Sequence, residues 1–85
     1  MPHEFTSEAE VAEAMKKAIE SAVPDSSAEV TIAGGGHYAL VVRSPAFAGQ
    51  RTLAKQRMVY SAIADLMAGH DAPVHAIDSM QTLEA

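Results

Sequence analysis

The 85-residue chain has no cysteine or tryptophan, only two phenylalanines and two tyrosines, and no long apolar run. Without cysteine, the chain itself can supply no disulfide bond, thiol nucleophile or thiolate metal site. No apolar run approaches the ~20 residues of a membrane-spanning helix. The amino-terminal stretch MPHEFTSEAEVAEAM is polar and acidic, unlike a secretory signal or an arginine-rich transit peptide. These absences predict a cytoplasmic protein that does not associate with membranes.

The length of the chain predicts one domain over residues 1–85, with a flexible segment at residues 1–6 and a short tail at residues 81–85. Apolar residues make up 48% of the chain, so a small core can form from Val, Ile, Leu, Met and Ala. Phe47 is expected to fill part of that core.

Charged residues are unevenly distributed. The formal net charge is −5, yet no Asp or Glu lies within residues 30–64. Three basic residues of this region, Arg51, Lys55 and Arg57, follow Gly49 closely. They form either a solvated helix face or a surface for an acidic partner or nucleic-acid phosphates. The overall negative charge disfavours DNA, so any DNA binding should be weak and readily lost with salt.

In the first half of the chain, Ser7 and Glu10 have the spacing of a capping box and predict a helix over residues 8–22. An alternating pattern predicts a strand over residues 29–32, with Val30 and Ile32 directed inward. The three glycines at 34–36 predict a hairpin turn into a second strand over residues 37–43.

In the second half, Ser44 and Pro45 are typical of the start of a short helical turn, which Gly49 interrupts. Helical periodicity then predicts one helix from residue 51 or 52 to Gly69. A third strand is predicted over residues 74–79. The order α-β-β-α-α-β predicts an α+β two-layer domain with a three-stranded mixed sheet.

Four histidines are the only residues that suggest metal chemistry: His3, His37, His70 and His75. His3 lies in the amino-terminal segment and His70 in a loop, and both are expected to be solvated. His37 opens the second strand and His75 lies near the start of the third. Two histidines cannot complete a four-coordinate site, so further ligands would have to come from a partner or a small molecule.

Motifs for catalysis are absent. The chain has no G-x-S-x-G nucleophile elbow. The three glycines lead into a strand rather than a helix, unlike a phosphate-binding loop. The sequence therefore predicts a protein that is not an enzyme.

Four stretches resemble the BolA family, in the same order and with the same spacing: residues 36–38 (GHY), 41–49 (VVRSPAFAG), 55–60 (KQRMVY) and 74–77 (VHAI). The resemblance runs from about residue 29 to residue 82. It implies a fold similar to a class II KH domain. Gln56 stands between two basic residues where many family members have histidine, which points to a subgroup of the family.

The resemblance also implies a function. BolA-like proteins pair with monothiol glutaredoxins and share a bridged [2Fe–2S] cluster with them, in iron–sulfur trafficking or iron regulation. His75 matches the family's carboxy-terminal histidine ligand, and His37 matches a histidine in the hairpin region of its cysteine-free branch. A glutaredoxin cysteine and a glutathione thiolate would complete the site, because imidazole can replace thiolate on one iron of such a cluster. The chain alone should hold no cluster.

Other interpretations remain open at this stage. Some family members are DNA-binding regulators, and a helix-turn-helix-like pair around Gly49 that carries Arg51, Lys55 and Arg57 would suit that role. A third interpretation is a structural domain with incidental histidines. The chain could be a monomer or a weak homodimer, because a small open sheet has free edges.

Overall fold

The computed structural model of the chain describes residues 5–85, which form a three-stranded sheet with helices packed on one face. In chain order the elements are α1 (Glu8–Ala22), β1 (Ser27–Gly34), β2 (His37–Arg43), a 3₁₀ turn (Pro45–Phe47), α2 (Thr52–Ala62), α3 (Ala64–Met67) and β3 (Ala76–Leu83). The strand order is β1-β2-β3. β1 and β2 are antiparallel, whereas β2 and β3 are parallel. The predicted α+β fold with a mixed sheet is confirmed.

Helix α1 begins and ends where the sequence predicted. The Ser7 side chain accepts a hydrogen bond from the Glu10 backbone N–H, which is the expected half of a capping box. The Glu10 carboxylate accepts from the Thr6 hydroxyl. Val11, Met15 and Ile19 form the buried stripe of the helix. This stripe packs against the inner face of the sheet.

Alternate residues of β2 form the centre of the core. Tyr38, Leu40 and Val42 are fully buried beneath α1 and α2, and Phe47 packs with them as predicted. Phe5 is half-buried against the same core, although residues 1–6 were predicted to be flexible. Residues 1–4, including His3, lie outside the described residues. The core therefore extends to the residues just before α1.

The outer edge of β1 is covered at one point by α1. The Ala28 N–H donates to Glu20 Oε2 at 2.9 Å, and Lys16 Nζ donates to the Ala28 carbonyl at 3.1 Å. The Ala28 N–H, followed by Lys16, lowers the pKa of Glu20. These bonds occupy backbone groups that an edge strand would otherwise present to solvent.

The first predicted strand was too short, and one of its side chains is more exposed than predicted. β1 runs over Ser27–Gly34 rather than 29–32. Ile32, predicted to face inward, is 42% exposed. Ile32 is the register partner of buried Tyr38 and so shares its face of the sheet, close to the irregularity between Ile32 and Gly34 at the end of β1.

The helical region differs from prediction in two places. The short helical turn predicted after Ser44 is present as a single 3₁₀ turn that ends before Gly49, whose φ is +75°, so it is too short to be the first helix of the predicted helix-turn-helix-like pair. The second helix breaks at Ile63, whose N–H bonds to both the Val59 and Tyr60 carbonyls. This tightened turn separates α2 from α3 and keeps Ile63 fully buried. Gly69, with a φ of +94°, follows the cap residue of α3 as predicted.

The third strand lies later in the chain than predicted. β3 spans Ala76–Leu83 instead of 74–79, so residues 81–83 of the expected tail pair with β2. The pairing continues because β2 offers partners as far as Arg43, and the Ser44 N–H then donates to the Leu83 carbonyl at 3.0 Å. Only Glu84 and Ala85 lie beyond the strand.

Ser44 connects two parts of the core, which leads to a prediction about stability. Its buried Oγ donates to the Pro24 carbonyl at 2.5 Å and accepts from the Ala46 N–H at 3.0 Å. Replacement by alanine leaves both groups without that partner. We expect Ser44→Ala to lower the free energy of unfolding by about 1–3 kcal/mol in urea denaturation.

Ser61→Ala is the matched control, because Ser61 is exposed on α2. Its effect should stay within about 0.5 kcal/mol. Equal effects of the two substitutions would contradict a structural role for the Ser44 hydroxyl.

Candidate functional site

The sheet brings His37 and His75 to the same end of the molecule. His37 is the first residue of β2 and is the register partner of Ala76, the first residue of β3. His75 immediately precedes Ala76. Both imidazoles are exposed. Two histidines that are far apart in the chain therefore lie at neighbouring strand starts.

His37 is oriented by Asp78. Its Nδ1 lies 2.8 Å from Asp78 Oδ1, and both side chains are about half exposed, at 47% and 48%. An ionised carboxylate only accepts hydrogen bonds, so in the neutral imidazole this contact places the proton on Nδ1 and leaves the Nε2 lone pair free. A metal-ligating histidine typically has such a carboxylate partner on its other nitrogen.

Asp78 lies at a β-bulge next to His37. Tyr38 pairs with Ile77 and Ala39 pairs with Ser79, so Asp78 is the extra residue on β3. A bulge redirects the side chain of its extra residue. Regular alternation also favours this contact, because Asp78 is two residues after Ala76, the partner of His37, and so lies on the same face of the sheet.

His75 packs closely on Gly36. A Cβ atom added at Gly36 would lie 2.8 Å from His75 Cγ, 3.0 Å from Nδ1 and 3.2 Å from Cβ. The Gly36 carbonyl accepts from the His75 N–H at 2.8 Å and from the Ala76 N–H at 3.3 Å. The Cβ, Cγ and Nδ1 atoms of His75 are therefore the ones next to the turn. Nε2 lies on the opposite side of the ring from Cγ.

Glu8 connects the first turn of α1 to the same glycine. Its Oε2 accepts from the Gly36 N–H at 3.1 Å. The Glu8 side chain is half-buried at this contact. An acid in the first helical turn is a common pattern, and nothing in the sequence indicated this partner.

A cleft of about 400 Å³ opens beside His75, between the segment before α1, the glycine turn and the loop before β3. Its lining includes no lysine or arginine. The Tyr38 hydroxyl is buried nearby and has no hydrogen-bond partner among residues 5–85. Burial, followed by the charge of Glu8, raises the pKa of Tyr38.

The described residues offer histidine donors but not a complete metal site of their own. Within residues 5–85, no group of three or more His, Cys, Asp or Glu side chains is placed to hold a metal ion. Imidazole can replace thiolate on one iron of a [2Fe–2S] cluster, so exposed histidines are the kind of donor that this chain could offer to such a cluster. Both thiolates for the other iron would have to come from other molecules.

The predicted basic residues do not form one face. Arg51 caps α2 and is exposed, whereas Lys55 is half-buried. Arg57 follows Lys55 by two residues and so lies about 200° around the helix from it. Arg57 instead shares an exposed stripe with Leu53 and Tyr60, which are 57% and 40% exposed.

The remaining predicted features are simpler. His70 is exposed in the loop after α3, as expected. No helix of the described part of the chain is both long and apolar enough to cross a membrane.

The chain is similar to known proteins in both sequence and structure. A family model described as BolA-like protein matches residues 8–84. A BolA homologue from Coxiella burnetii has 33% sequence identity and a TM-score of 0.65, over 82% of this chain and 85% of that chain. The BolA1 protein from Mus musculus has 26% identity and a TM-score of 0.70, over 99% of this chain and 75% of that chain.

A protein from Babesia bovis described as bol-like has 29% identity and a TM-score of 0.67, over 98% of this chain and 90% of that chain. The comparison with curated proteins gave no significant match. The family match covers almost the whole domain, including both strand starts that carry the histidines.

The unpartnered hydroxyl of Tyr38 generates a prediction. Removing a buried hydroxyl that has no partner removes its desolvation cost. We expect Tyr38→Phe to raise the free energy of unfolding by up to about 1 kcal/mol in urea at neutral pH. Tyr60→Phe, at an exposed site, should change it by less than about 0.5 kcal/mol.

The pH dependence follows from the raised pKa of Tyr38. A pKa higher in the folded chain than in the unfolded chain contributes stability below the unfolded value of about 10, and this contribution is lost as pH rises through the folded pKa. Tyr38→Phe should therefore reduce the alkaline loss of stability. An unchanged alkaline profile, or a destabilised neutral protein, would contradict the assigned environment of the hydroxyl.

Proposed function

Since the chain belongs to the BolA-like protein family, we propose that it is a non-enzymatic cytoplasmic adaptor. It pairs with a monothiol glutaredoxin and shares a bridged [2Fe–2S] cluster with it, in iron–sulfur trafficking or iron regulation. The observation that carries the proposal is the placement of two exposed imidazoles, His37 and His75, at adjacent strand starts. The Asp78 contact of His37 supports it.

His75 and His37 are the ligands that this chain contributes. Asp78 holds His37 with Nε2 available, and Gly36 supports the root of the His75 ring. A [2Fe–2S] cluster with mixed ligation would accept imidazole nitrogen from His75 and His37 in place of thiolate, and a glutaredoxin cysteine and glutathione would supply the remaining thiolates. Only neutral imidazole coordinates a metal, so acid should weaken the shared complex.

The proposed ligation predicts a distinct spectroscopic effect. The visible absorption and circular dichroism of a monothiol glutaredoxin reconstituted with glutathione, iron and sulfide should change when this protein is added. Replacing thiolate by imidazole alters the electronic environment of one iron and raises its potential. His75→Ala should abolish the change, and His37→Ala should abolish or reduce it.

His70→Ala is the matched control, because it removes another exposed imidazole away from the strand starts. Its mixture should give the spectrum of the unsubstituted protein. A spectrum identical to that of glutaredoxin alone would contradict the proposal. Equal effects of His70→Ala and His75→Ala would exclude a specific ligand role for His75.

A second proposed function is that of a nucleic-acid-binding transcriptional regulator. The stripe of Leu53, Arg57 and Tyr60 supports it, because an exposed aromatic ring beside a guanidinium suits a stacked base and a phosphate. The net charge of −5 and the single 3₁₀ turn before α2 weaken it. We therefore rank it below the shared cluster.

Salt titration separates the two functions. If α2 binds DNA, the logarithm of the affinity should fall linearly with the logarithm of salt concentration. Arg57→Ala should reduce that slope by about one, whereas His75→Ala should leave it unchanged. Fluorescence anisotropy with a labelled oligonucleotide measures both. Affinity that is independent of salt, or unaffected by Arg57→Ala, would exclude this surface.

A further inference from the structure

We propose that Gly36 and Glu8 are positioning residues for His75, and we call this arrangement the Gly36 brace. The inference rests on the proposed function, because it assigns to these two residues the task of presenting the His75 imidazole to the shared cluster. Neither residue is a metal ligand in this scheme. They act on the position of the ring, through contact and hydrogen bonding.

Steric contact is the first part of the brace. Gly36 has a φ of +81°, a conformation that L-residues rarely adopt. A Cβ at this position would approach three atoms of His75 to between 2.8 and 3.2 Å. The bare Cα therefore allows the ring to rest on the turn. Any side chain at residue 36 would displace the His75 side chain or the turn.

Hydrogen bonding is the second part. The Gly36 carbonyl accepts hydrogen bonds from the backbone N–H groups of His75 and Ala76. The Gly36 N–H donates to the Glu8 carboxylate. The residue is thus attached to the start of β3 on one side and to α1 on the other. Glu8 fixes the turn, and the turn fixes the backbone of His75.

The loop before β3 makes such a brace useful. Val74 is buried and its N–H donates to the Leu66 carbonyl at 3.1 Å, which anchors the residue before the histidine. His75 itself is exposed. A ligand held by its neighbours loses less conformational freedom on coordination, and outer-shell partners of metal ligands typically change affinity by about 10–100-fold.

The glycine turn contains its own control. Gly34 has a φ of +99°, and an added Cβ would meet nothing within 4 Å. Gly34→Ala therefore imposes the same kind of backbone strain as Gly36→Ala without the collision with His75. A difference between the two variants isolates the contact from the strain.

The first experiment uses the chain alone, by NMR at mildly alkaline pH. Gly36→Ala should move the His75 ring resonances and accelerate exchange of its amide proton by about tenfold or more. Gly34→Ala should leave both close to those of the unsubstituted chain. Unchanged His75 signals in Gly36→Ala, or equal changes in the two variants, would overturn the brace.

Glu8 variants keep the test decisive if Gly36→Ala does not fold. Glu8→Ala removes the acceptor for the Gly36 N–H, whereas Glu8→Gln retains a carbonyl oxygen of similar reach. We expect shifted His75 resonances in Glu8→Ala and restoration towards the original values in Glu8→Gln. Equal resonances in all three proteins would remove Glu8 from the brace.

The second experiment adds monothiol glutaredoxin, glutathione, iron and sulfide. The concentration of variant needed for half of the spectral change should rise about 10–100-fold for Gly36→Ala and little for Gly34→Ala. If the unsubstituted chain gives no spectral change, the proposed function fails. The NMR experiment on the chain alone still tests whether Gly36 positions His75. If the unsubstituted chain changes the spectrum and Gly36→Ala does so at the same concentration, the positioning role of Gly36 is overturned. The proposed function then stands.

Discussion

The parallel pairing of β2 with β3 is the constraint on which the rest of the structure depends. Two parallel neighbours cannot be joined by a tight turn, so the chain between Arg43 and Ala76 must cross over the sheet. That crossover contains α2 and α3, whose buried residues Val59, Ile63 and Leu66 close the core. The same pairing aligns the first residues of the two strands and so creates the end of the sheet that carries both histidines.

The two histidines are held by different kinds of partner. His37 lies within a strand and is oriented by a carboxylate across the sheet, at a bulge. His75 lies just outside a strand and rests on a glycine that is itself bonded to α1. One imidazole is therefore fixed chiefly by a side chain and the other chiefly by backbone. Contacts from α1, β2 and β3 therefore meet at this end of the sheet.

The sequence predicted well the features that short-range chemistry determines. α1 could be bounded from its serine cap and Pro24, and β2 from the glycine turn and Ser44, because each signal lies within a few residues of the element it limits. His37 and His75 could be singled out from residue type and resemblance. The placement of both at one end of the sheet depended on the pairing of β2 with β3.

Features that depend on distant partners could not be predicted in the same way. The extent of β3 is determined by the length of β2, and the position of Asp78 beside His37 depends on their pairing. The Glu8–Gly36 bond joins residues 28 apart. The break at Ile63 reflects packing in the core, since periodicity alone continues through it. The separation of Lys55 from Arg57, in contrast, follows from their two-residue spacing in a helix and could have been predicted from the sequence.

The edge position of β3 has a consequence for the dynamics of the domain. β3 is bonded to one neighbouring strand only, so it can open while the hairpin of β1 and β2 stays closed. Such an opening separates His75 from His37 and releases Gly36 from its two N–H donors. A molecule that engages both imidazoles binds only the closed form and shifts the population towards it. Binding of such a molecule to the two histidine side chains should therefore slow hydrogen exchange of the β3 backbone amides.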